Sequence, residues 1–114
     1  MILVTGFEPF GGDARNPAGE AALVLHGSVL DGEPVAGVVL PCVFAEAPAA
    51  LRAAIRRHRP DLVLALGLAA SRRGFHVERV AVNLIDARIP DNAGAQPIDQ
   101  TMRAGGPAAA FARR

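Results

Sequence analysis

The fold is decided by MILVTGFEPFGGDARNP, residues 1–17. The apolar start, residues 1–5, predicts a buried strand that stops at Gly6. Residues 7–16 are rich in glycine, proline, aspartate and asparagine, which is typical of a loop. Asn16 followed by Pro17 is the pattern of a helix cap with proline at the first helical position. A strand, a loop and a helix in this order begin an α/β unit.

The segments that follow alternate between strand and helix patterns. The first helix keeps alanines and a leucine at helical spacing and is expected to end near Gly27. A second helix is predicted over residues 45–58, where a proline two residues later stops it. Apolar runs predict three more strands, over residues 34–41, 61–68 and 79–85. The run over 61–68 is apolar throughout, so we expect that strand to be covered on both faces.

The end of the chain is expected to open a third helix. Gly105 to Pro107 precede AAAFARR, residues 108–114, which is about two helical turns. The order strand, helix, strand, helix, strand, strand, helix predicts a three-layer α/β/α sandwich around a largely parallel twisted sheet. Such a sheet needs helices on both faces, and only two predicted helices are complete. We therefore expect the architecture to be incomplete at the C-terminus.

Length and composition fit a single domain, residues 1–114. The chain has 114 residues, of which 51% are hydrophobic and 20% charged, so it is too short for two cores and too apolar for a disordered tail. Its net charge is +1 and it has neither Trp nor Tyr. It lacks the basic surface and the stacking aromatics of a nucleic-acid binder, so no nucleic-acid partner is expected.

The cysteine and histidine content argues against metal and disulfide chemistry. Cys42 is the single cysteine, which excludes an internal disulfide and a zinc site built on several thiolates. The three histidines, His26, His58 and His76, share no metal-ligand spacing and are expected to cap helices or face solvent. We expect no metal and no cofactor. Without a signal-peptide pattern or an 18-residue apolar run, the chain is predicted to be cytoplasmic, with no membrane partner.

The first loop, GFEPFGG, lies where a dinucleotide fingerprint would lie but does not match one. Glu8 stands where backbone approach to a pyrophosphate requires glycine, and its carboxylate would repel phosphate. The loop carries Phe7 and Phe10 at the carboxyl end of a strand, where open α/β sheets bind ligands. From these residues alone, the two rings are either core residues folded under the loop or the walls of a pocket.

Two other segments carry candidate chemistry. Cys42 follows an apolar strand with no histidine or basic cluster beside it, which favours a buried structural thiol over a reactive one. Residues 78–99, ERVAVNLIDARIPDNAGAQPID, join a strand to a polar loop stiffened by prolines. That loop is either solvated or a rigid support for catalytic groups, and Asp86 and Arg88 either act on a ligand or pair with each other.

Taken together, these motifs resemble the pyroglutamyl peptidase I family, cytosolic cysteine peptidases that remove N-terminal pyroglutamate from peptides. The resemblance covers essentially the whole chain. It rests on TGFEPFGG at 5–12, NP at 16–17, LPCVF at 40–44, residues 78–99 and GGPAAAF at 105–111.

The resemblance implies roles for six residues. Glu78 would be the triad acid that orients a catalytic histidine, and Arg88 would stabilise negative charge near the oxyanion. The remaining four would bind substrate: Phe7 and Phe10 would sandwich the flat lactam ring of pyroglutamate, and Cys42 and Ile89 would line the same pocket. Leu68 departs from the family pattern, because it replaces a glutamine that hydrogen-bonds the lactam in some members.

The resemblance also implies that the nucleophilic cysteine and the catalytic histidine lie beyond the position of Arg114. Residues 1–114 alone are therefore expected to be inactive, as the N-terminal part of a peptidase whose complete form acts on pyroglutamyl peptides and is, in this family, often a homo-oligomer. The alternative is a non-catalytic short homologue that binds a pyroglutamyl-like small ligand or a complementing chain.

Overall fold

The computed structural model describes residues 1–112. Its elements, in chain order, are β1 Ile2–Phe7, α1 Pro17–Leu25, β2 Val29–Leu30, β3 Glu33–Leu40, α2 Ala47–His58, β4 Leu62–Ala65, β5 Val80–Val82 and β6 Ala109–Phe111. The first four strands form one sheet in the order β2-β3-β1-β4, with β1 parallel to both β3 and β4 and the short β2 antiparallel to β3.

The ends of both helices follow from the sequence. Asn16 caps α1, because its side-chain oxygen accepts the N–H of Ala18 at 3.0 Å, and Pro17 is the first helical residue, as predicted. Gly27, with a φ of 82°, follows the end of α1. Helix α2 begins at Ala47, two residues later than predicted, and ends at His58, as predicted, with Arg59 after it in the left-handed conformation.

The two helices pack on opposite faces of the sheet, which confirms the three-layer arrangement. On one face, Val4 of β1 is buried with Ala22 of α1. On the other face, Leu3 of β1 is buried with Ala54 of α2. Successive residues of a strand point to opposite faces, so β1 supplies both halves of the core. Within residues 1–112, no helix is long and apolar enough to cross a bilayer.

The predicted helix over residues 108–114 is wrong. Residues Ala109–Phe111 form β6, which pairs antiparallel with β5, and Arg113 and Arg114 lie outside the described residues. A helix of two turns is marginal in water, whereas the β5 edge offers backbone partners for this segment. The side chain of Asn83 fixes the connection by exchanging hydrogen bonds with the backbone of Arg103, at 2.7 and 2.9 Å.

Two expectations for the later strands also need correction. The strand predicted over 79–85 is shorter, Val80–Val82, and belongs to the separate two-stranded sheet. Strand β4 is not covered on both faces, because the exposed fractions of Leu62, Val63 and Leu64 are 56%, 38% and 49%. It lies at the edge of the sheet, and within residues 1–112 no further strand pairs with its outer side.

Candidate functional site

A cleft of about 540 Å³ opens where the parallel strands end. Phe7 is the last residue of β1, Cys42 follows β3, and Leu68 follows β4, so three neighbouring strands each bring a residue to the cleft. This is the edge of an open α/β sheet at which ligands bind, because helix N-termini and loop residues converge there. The complete lining is Phe7, Phe10, Asn16, Cys42, Val43, Phe44, Ala47, Pro48, Gly67, Leu68, Leu84, Ile85, Asp86, Ala87, Asp91 and Met102.

Most of the cleft surface is apolar. Phe7 and Phe10 are half-buried and both line it, so the structure places the two rings in a cleft wall rather than in the sealed core. Leu68 and Met102 add further apolar surface. Aromatic faces and aliphatic side chains of this kind bind a small, flat, uncharged ring through burial of apolar area.

The loops around the cleft are joined through Glu8. Its Oε1 accepts the backbone N–H of Cys42 at 3.0 Å and the side-chain Nδ2 of Asn92 at 2.9 Å. The same amide group donates to the carbonyl oxygen of Pro9 at 2.8 Å, and the Asn92 backbone N–H donates to the carbonyl oxygen of Cys42 at 3.0 Å. Sequence reasoning used Glu8 only to exclude a phosphate site and did not find this set of contacts, which we call the Glu8 network.

Asp91 makes a second connection between loops. Its Oδ2 accepts the backbone N–H of Phe44 at 2.8 Å, and its Oδ1 accepts those of Ala93 and Ala95, each at 2.9 Å. The hydrogen bond from Phe44 is the main reason that the pKa of Asp91 lies below its usual value, and the other backbone N–H groups lower it further. The turn sequence Asp91-Asn92-Ala93-Gly94 was the signal in the sequence for this loop structure.

Cys42 lies in the cleft wall with a thiol that is hard to ionise. Burial raises the pKa of the Cys42 thiol above its usual value, and the negative charges of Glu8 and Asp91 raise it further. A thiol in this environment stays protonated at neutral pH and is a poor nucleophile. The raised pKa argues against a reactive thiol, whereas the predicted burial is only partial, because Cys42 is half-buried.

The other three candidate residues do not line the cleft in the part of the chain that the structure describes. Glu78 is exposed and forms an ion pair with Arg72 at 2.5 Å. Arg88 is exposed. Ile89 is about half exposed and lies over the glycine-rich loop, where a Cβ added to Gly11 would be 3.3 Å from its Cδ1.

Asp86 lines the cleft but does not pair with Arg88. Its Oδ1 accepts the backbone N–H of Asp99 at 3.1 Å, and the ion pairs among residues 1–112 do not include these two side chains. The interpretation in which Asp86 and Arg88 only neutralise each other is therefore wrong.

Two of the three histidines, His26 and His76, have local structural contacts. Nδ1 of His26, the residue that ends α1, accepts the backbone N–H of Gly37 at 3.0 Å. Nε2 of His76 lies 2.9 Å from the carbonyl oxygen of Arg73. In the described part of the chain, no three residues of the types His, Cys, Asp and Glu come together as a group that could hold a metal ion.

The fold and the cleft define an open-sheet α/β protein with a largely apolar candidate site at the carboxyl ends of its parallel strands. The family model described as pyroglutamyl peptidase matches residues 1–114. The pyrrolidone-carboxylate peptidase of Streptomyces coelicolor is 54% identical over 110 residues, and that of Klebsiella pneumoniae is 52% identical over 110 residues. In each case the alignment covers 96% of this chain and 51% of the relative.

Solved structures agree with the sequence comparison. A mutant pyrrolidone carboxyl peptidase from P. furiosus superposes with a TM-score of 0.94 at 44% identity, over 96% of this chain and 53% of that one. The chain belongs to the pyroglutamyl peptidase family. It spans about half the length of the curated relatives that it matches.

Proposed function

We propose that the complete protein containing these residues is a cysteine peptidase that removes N-terminal pyroglutamate from peptides. The observation that carries the proposal is the apolar cleft at the strand ends, with Phe7 and Phe10 in its wall, in a chain of this family. Pyroglutamate has a flat, uncharged lactam ring, which matches a cleft of this shape and polarity better than a charged N-terminus would.

The six candidate residues receive the following proposed roles. Phe7 and Phe10 sandwich the lactam ring, and Cys42 completes the wall beside it. Ile89, which lies over Gly11 outside the described lining, is proposed to approach the ring from the side of the glycine-rich loop. Arg88 stabilises negative charge that develops on the scissile carbonyl oxygen. Glu78 orients the catalytic histidine, and its present partner Arg72 is exposed and free to exchange this contact for another.

The nucleophile and the base are proposed to come from the half of the relatives' length that this chain does not span. The cysteine thiolate would attack the carbonyl that joins pyroglutamate to the next residue, and the histidine would protonate the departing amine. Water would then release pyroglutamate from the acyl-enzyme and regenerate the thiol. Cys42 cannot substitute for this nucleophile, because its pKa is raised rather than lowered.

The decisive experiment measures cleavage of a fluorogenic pyroglutamyl amide by the complete protein. We expect cleavage of this amide, no cleavage of the matching prolyl amide, and loss of activity on alkylation with iodoacetamide. Cys42→Ser is expected to stay active and to remain sensitive to alkylation, because the reactive thiol lies elsewhere. Absence of pyroglutamyl cleavage in the folded wild-type protein would refute the proposal.

Phenylalanine substitutions test the cleft itself. Phe10→Ala is expected to raise KM roughly tenfold, since an aromatic contact and its buried area are lost. Phe75→Ala is the matched control, because Phe75 is fully exposed and does not line the cleft. Equal kinetics for the two variants would show that the cleft does not bind the substrate.

A second candidate function is binding of a pyroglutamyl-like ligand without cleavage. Residues 1–112 form a cleft, and the thiol in its wall, Cys42, has a raised pKa and is a poor nucleophile. These two features favour binding without cleavage. The intact mass of the native gene product separates the two candidates. A mass well above 11.8 kDa supports the peptidase, whereas a mass of 11.8 kDa supports the binding protein.

We further propose that the peptidase acts in the cytoplasm. A peptidase that depends on a free catalytic thiol suits a reducing compartment, and residues 1–114 contain one cysteine and no disulfide. Fractionation of source cells, with pyroglutamyl amide cleavage as the readout, tests this location.

A further inference from the structure

Glu8 occupies an unusual position for a carboxylate beside an apolar cleft. It lies between the two cleft phenylalanines in the sequence Phe7-Glu8-Pro9-Phe10, but it is not itself a lining residue. Its backbone is fixed at both polar groups, since its N–H donates to the carbonyl oxygen of Leu40 at 3.1 Å and its carbonyl oxygen accepts Nδ2 of Asn16 at 3.1 Å. The Glu8 side chain therefore starts from a fixed position at the end of β1.

The carboxylate connects three segments that are far apart in the sequence. Its Oε1 receives the Cys42 backbone N–H, from the segment after β3, and the Asn92 side chain, from the segment after β5. Both hydrogens of the Asn92 amide are used, because its Nδ2 donates to Glu8 and to the carbonyl oxygen of Pro9. A charged acceptor makes stronger hydrogen bonds than a neutral one.

The three connected segments are also three walls of the cleft. Phe7 and Phe10 flank Glu8, Cys42 is the residue whose N–H it accepts, and Asp91 directly precedes Asn92. Hence one oxygen atom contacts both of the other walls from the aromatic wall, beside the backbone links of Glu8 to Leu40 and of Pro9 to Asn92. Among residues 1–112 no cationic side chain forms an ion pair with Glu8, so nothing else there competes for that oxygen.

We propose that Glu8 is a positioning residue for the substrate cleft, which it shapes through its hydrogen bonds to Cys42 and Asn92 without touching the substrate. This inference rests on the proposed peptidase function. A positioning role predicts that the presence of a hydrogen-bond acceptor matters much more than its negative charge, which only strengthens the two contacts. A catalytic role would require the charge itself.

The first test compares Glu8→Gln with Glu8→Ala in the complete protein, using a fluorogenic pyroglutamyl amide. Glutamine keeps a carbonyl oxygen that accepts both N–H groups, so KM is expected to stay within about threefold of wild type. Alanine leaves the Cys42 N–H and one Asn92 hydrogen without an acceptor, and KM is expected to rise roughly tenfold or more. Because the lost contacts shape binding, kcat should change less than KM.

Glu46→Ala is the matched control for this comparison. Glu46 is exposed, makes no side-chain capping hydrogen bond at the start of α2 and does not line the cleft. It should keep wild-type KM and kcat. Circular dichroism of each variant verifies folding before kinetics are compared.

Substitutions of Asn92, the side-chain hydrogen-bond partner of Glu8, test the inference if Glu8→Ala does not fold. Asn92→Ala is expected to raise KM in the same way, and Asn92→Asp more strongly, because two carboxylates would then face each other. The double variant Glu8→Gln with Asn92→Asp restores a donor opposite an acceptor. It should recover part of the affinity lost in Asn92→Asp, which a general loss of stability would not produce.

The outcomes separate this inference from the function on which it rests. If the wild-type protein does not cleave the amide, the proposed function fails. If wild type is active and both Glu8→Ala and Asn92→Ala behave like Glu46→Ala, the positioning role is refuted. Loss of kcat in Glu8→Gln equal to that in Glu8→Ala would also refute it, because the charge would then take part in the chemistry.

Discussion

The hydrogen bonds of Asp91 make the stability of the fold depend on pH in the acid range. Its carboxylate accepts backbone N–H groups from Phe44, Ala93 and Ala95, and these contacts hold its pKa below the usual 3.8. A carboxyl group whose folded-state pKa is depressed stabilises the fold above its unfolded pKa. That contribution is lost as the pH falls through the folded-state value.

We therefore predict that the complete protein loses stability below about pH 4 more steeply than its Asp91→Asn variant. Asparagine can still accept hydrogen bonds through its carbonyl oxygen but does not titrate in this range. Urea denaturation midpoints at several pH values between 5 and 2.5 measure the difference. Parallel curves for the two proteins would contradict the prediction.

Cys42 gives a second prediction at the scale of one residue. Burial is the largest cause of its raised pKa, and the charges of Glu8 and Asp91 come after it. Alkylation of Cys42, followed by mass spectrometry of its peptide, should therefore be slow at pH 8 and should keep rising with pH beyond the point at which an unperturbed thiol levels off.

Replacing Glu8 with glutamine removes one of the two charges and leaves the burial unchanged. The alkylation profile of Cys42 should move only slightly toward lower pH in Glu8→Gln. A large shift would show that charge, not burial, dominates the pKa of this thiol.

At the scale of elements, helix α1 packs so closely on the sheet that three glycines are required. A Cβ on Gly37 would lie 1.8 Å from the carbonyl oxygen of Ala22, and one on Gly6 would lie 2.2 Å from that of Ala18. From the helix side, a Cβ on Gly19 would lie 2.4 Å from the carbonyl oxygen of Phe7. Because these neighbours are backbone atoms, they cannot turn away as a side chain would.

Gly37→Ala is consequently expected to lower the free energy of unfolding by about 3 kcal/mol or more, at the upper end of overpacking effects. The matched control is Gly67→Ala, since a Cβ there meets nothing within 4 Å and no positive φ is involved. Thermal or urea unfolding of both variants measures the difference. Similar stabilities would mean that α1 can move away from the sheet without cost.

The same elements show what the sequence could predict. The cap at Asn16 and the strand at residues 1–5 depend on neighbouring residues, so local patterns were sufficient to find them. The strand Ala109–Phe111 was predicted as a helix, because its identity depends on pairing with Val80–Val82, about thirty residues earlier. This long-range pairing outweighs the helix propensity of the alanines.

The candidate site shows the same contrast between features that local sequence predicts and contacts between distant residues. Phe7 and Phe10 could be placed at a strand end from local sequence, and the structure puts both in the cleft wall. The hydrogen bonds of Glu8 could not be predicted, because they join residues 34 and 84 positions apart in the chain. Contacts of that span are invisible to periodicity and turn patterns.

At the scale of the whole molecule, strand β4 is an exposed apolar edge. Leu62, Val63 and Leu64 are at least one-third exposed, although parallel strands are normally buried on both faces. An edge of this kind has unpaired backbone groups and apolar side chains, which favour pairing with another chain. The relatives are about twice as long as this chain, and we propose that a segment in their remaining half covers this surface.

A polypeptide of residues 1–114 produced alone should therefore self-associate and bind a hydrophobic dye such as ANS. The complete protein should not show β4-dependent dye binding. Val63→Lys places a charge on the exposed strand and is expected to reduce self-association of the 114-residue polypeptide, whereas Arg52→Lys, on the exposed face of α2, is the control that leaves it unchanged. Light scattering and dye fluorescence measure both effects. A monomeric, dye-free polypeptide would show that this half of the fold protects its own edge and needs no covering segment.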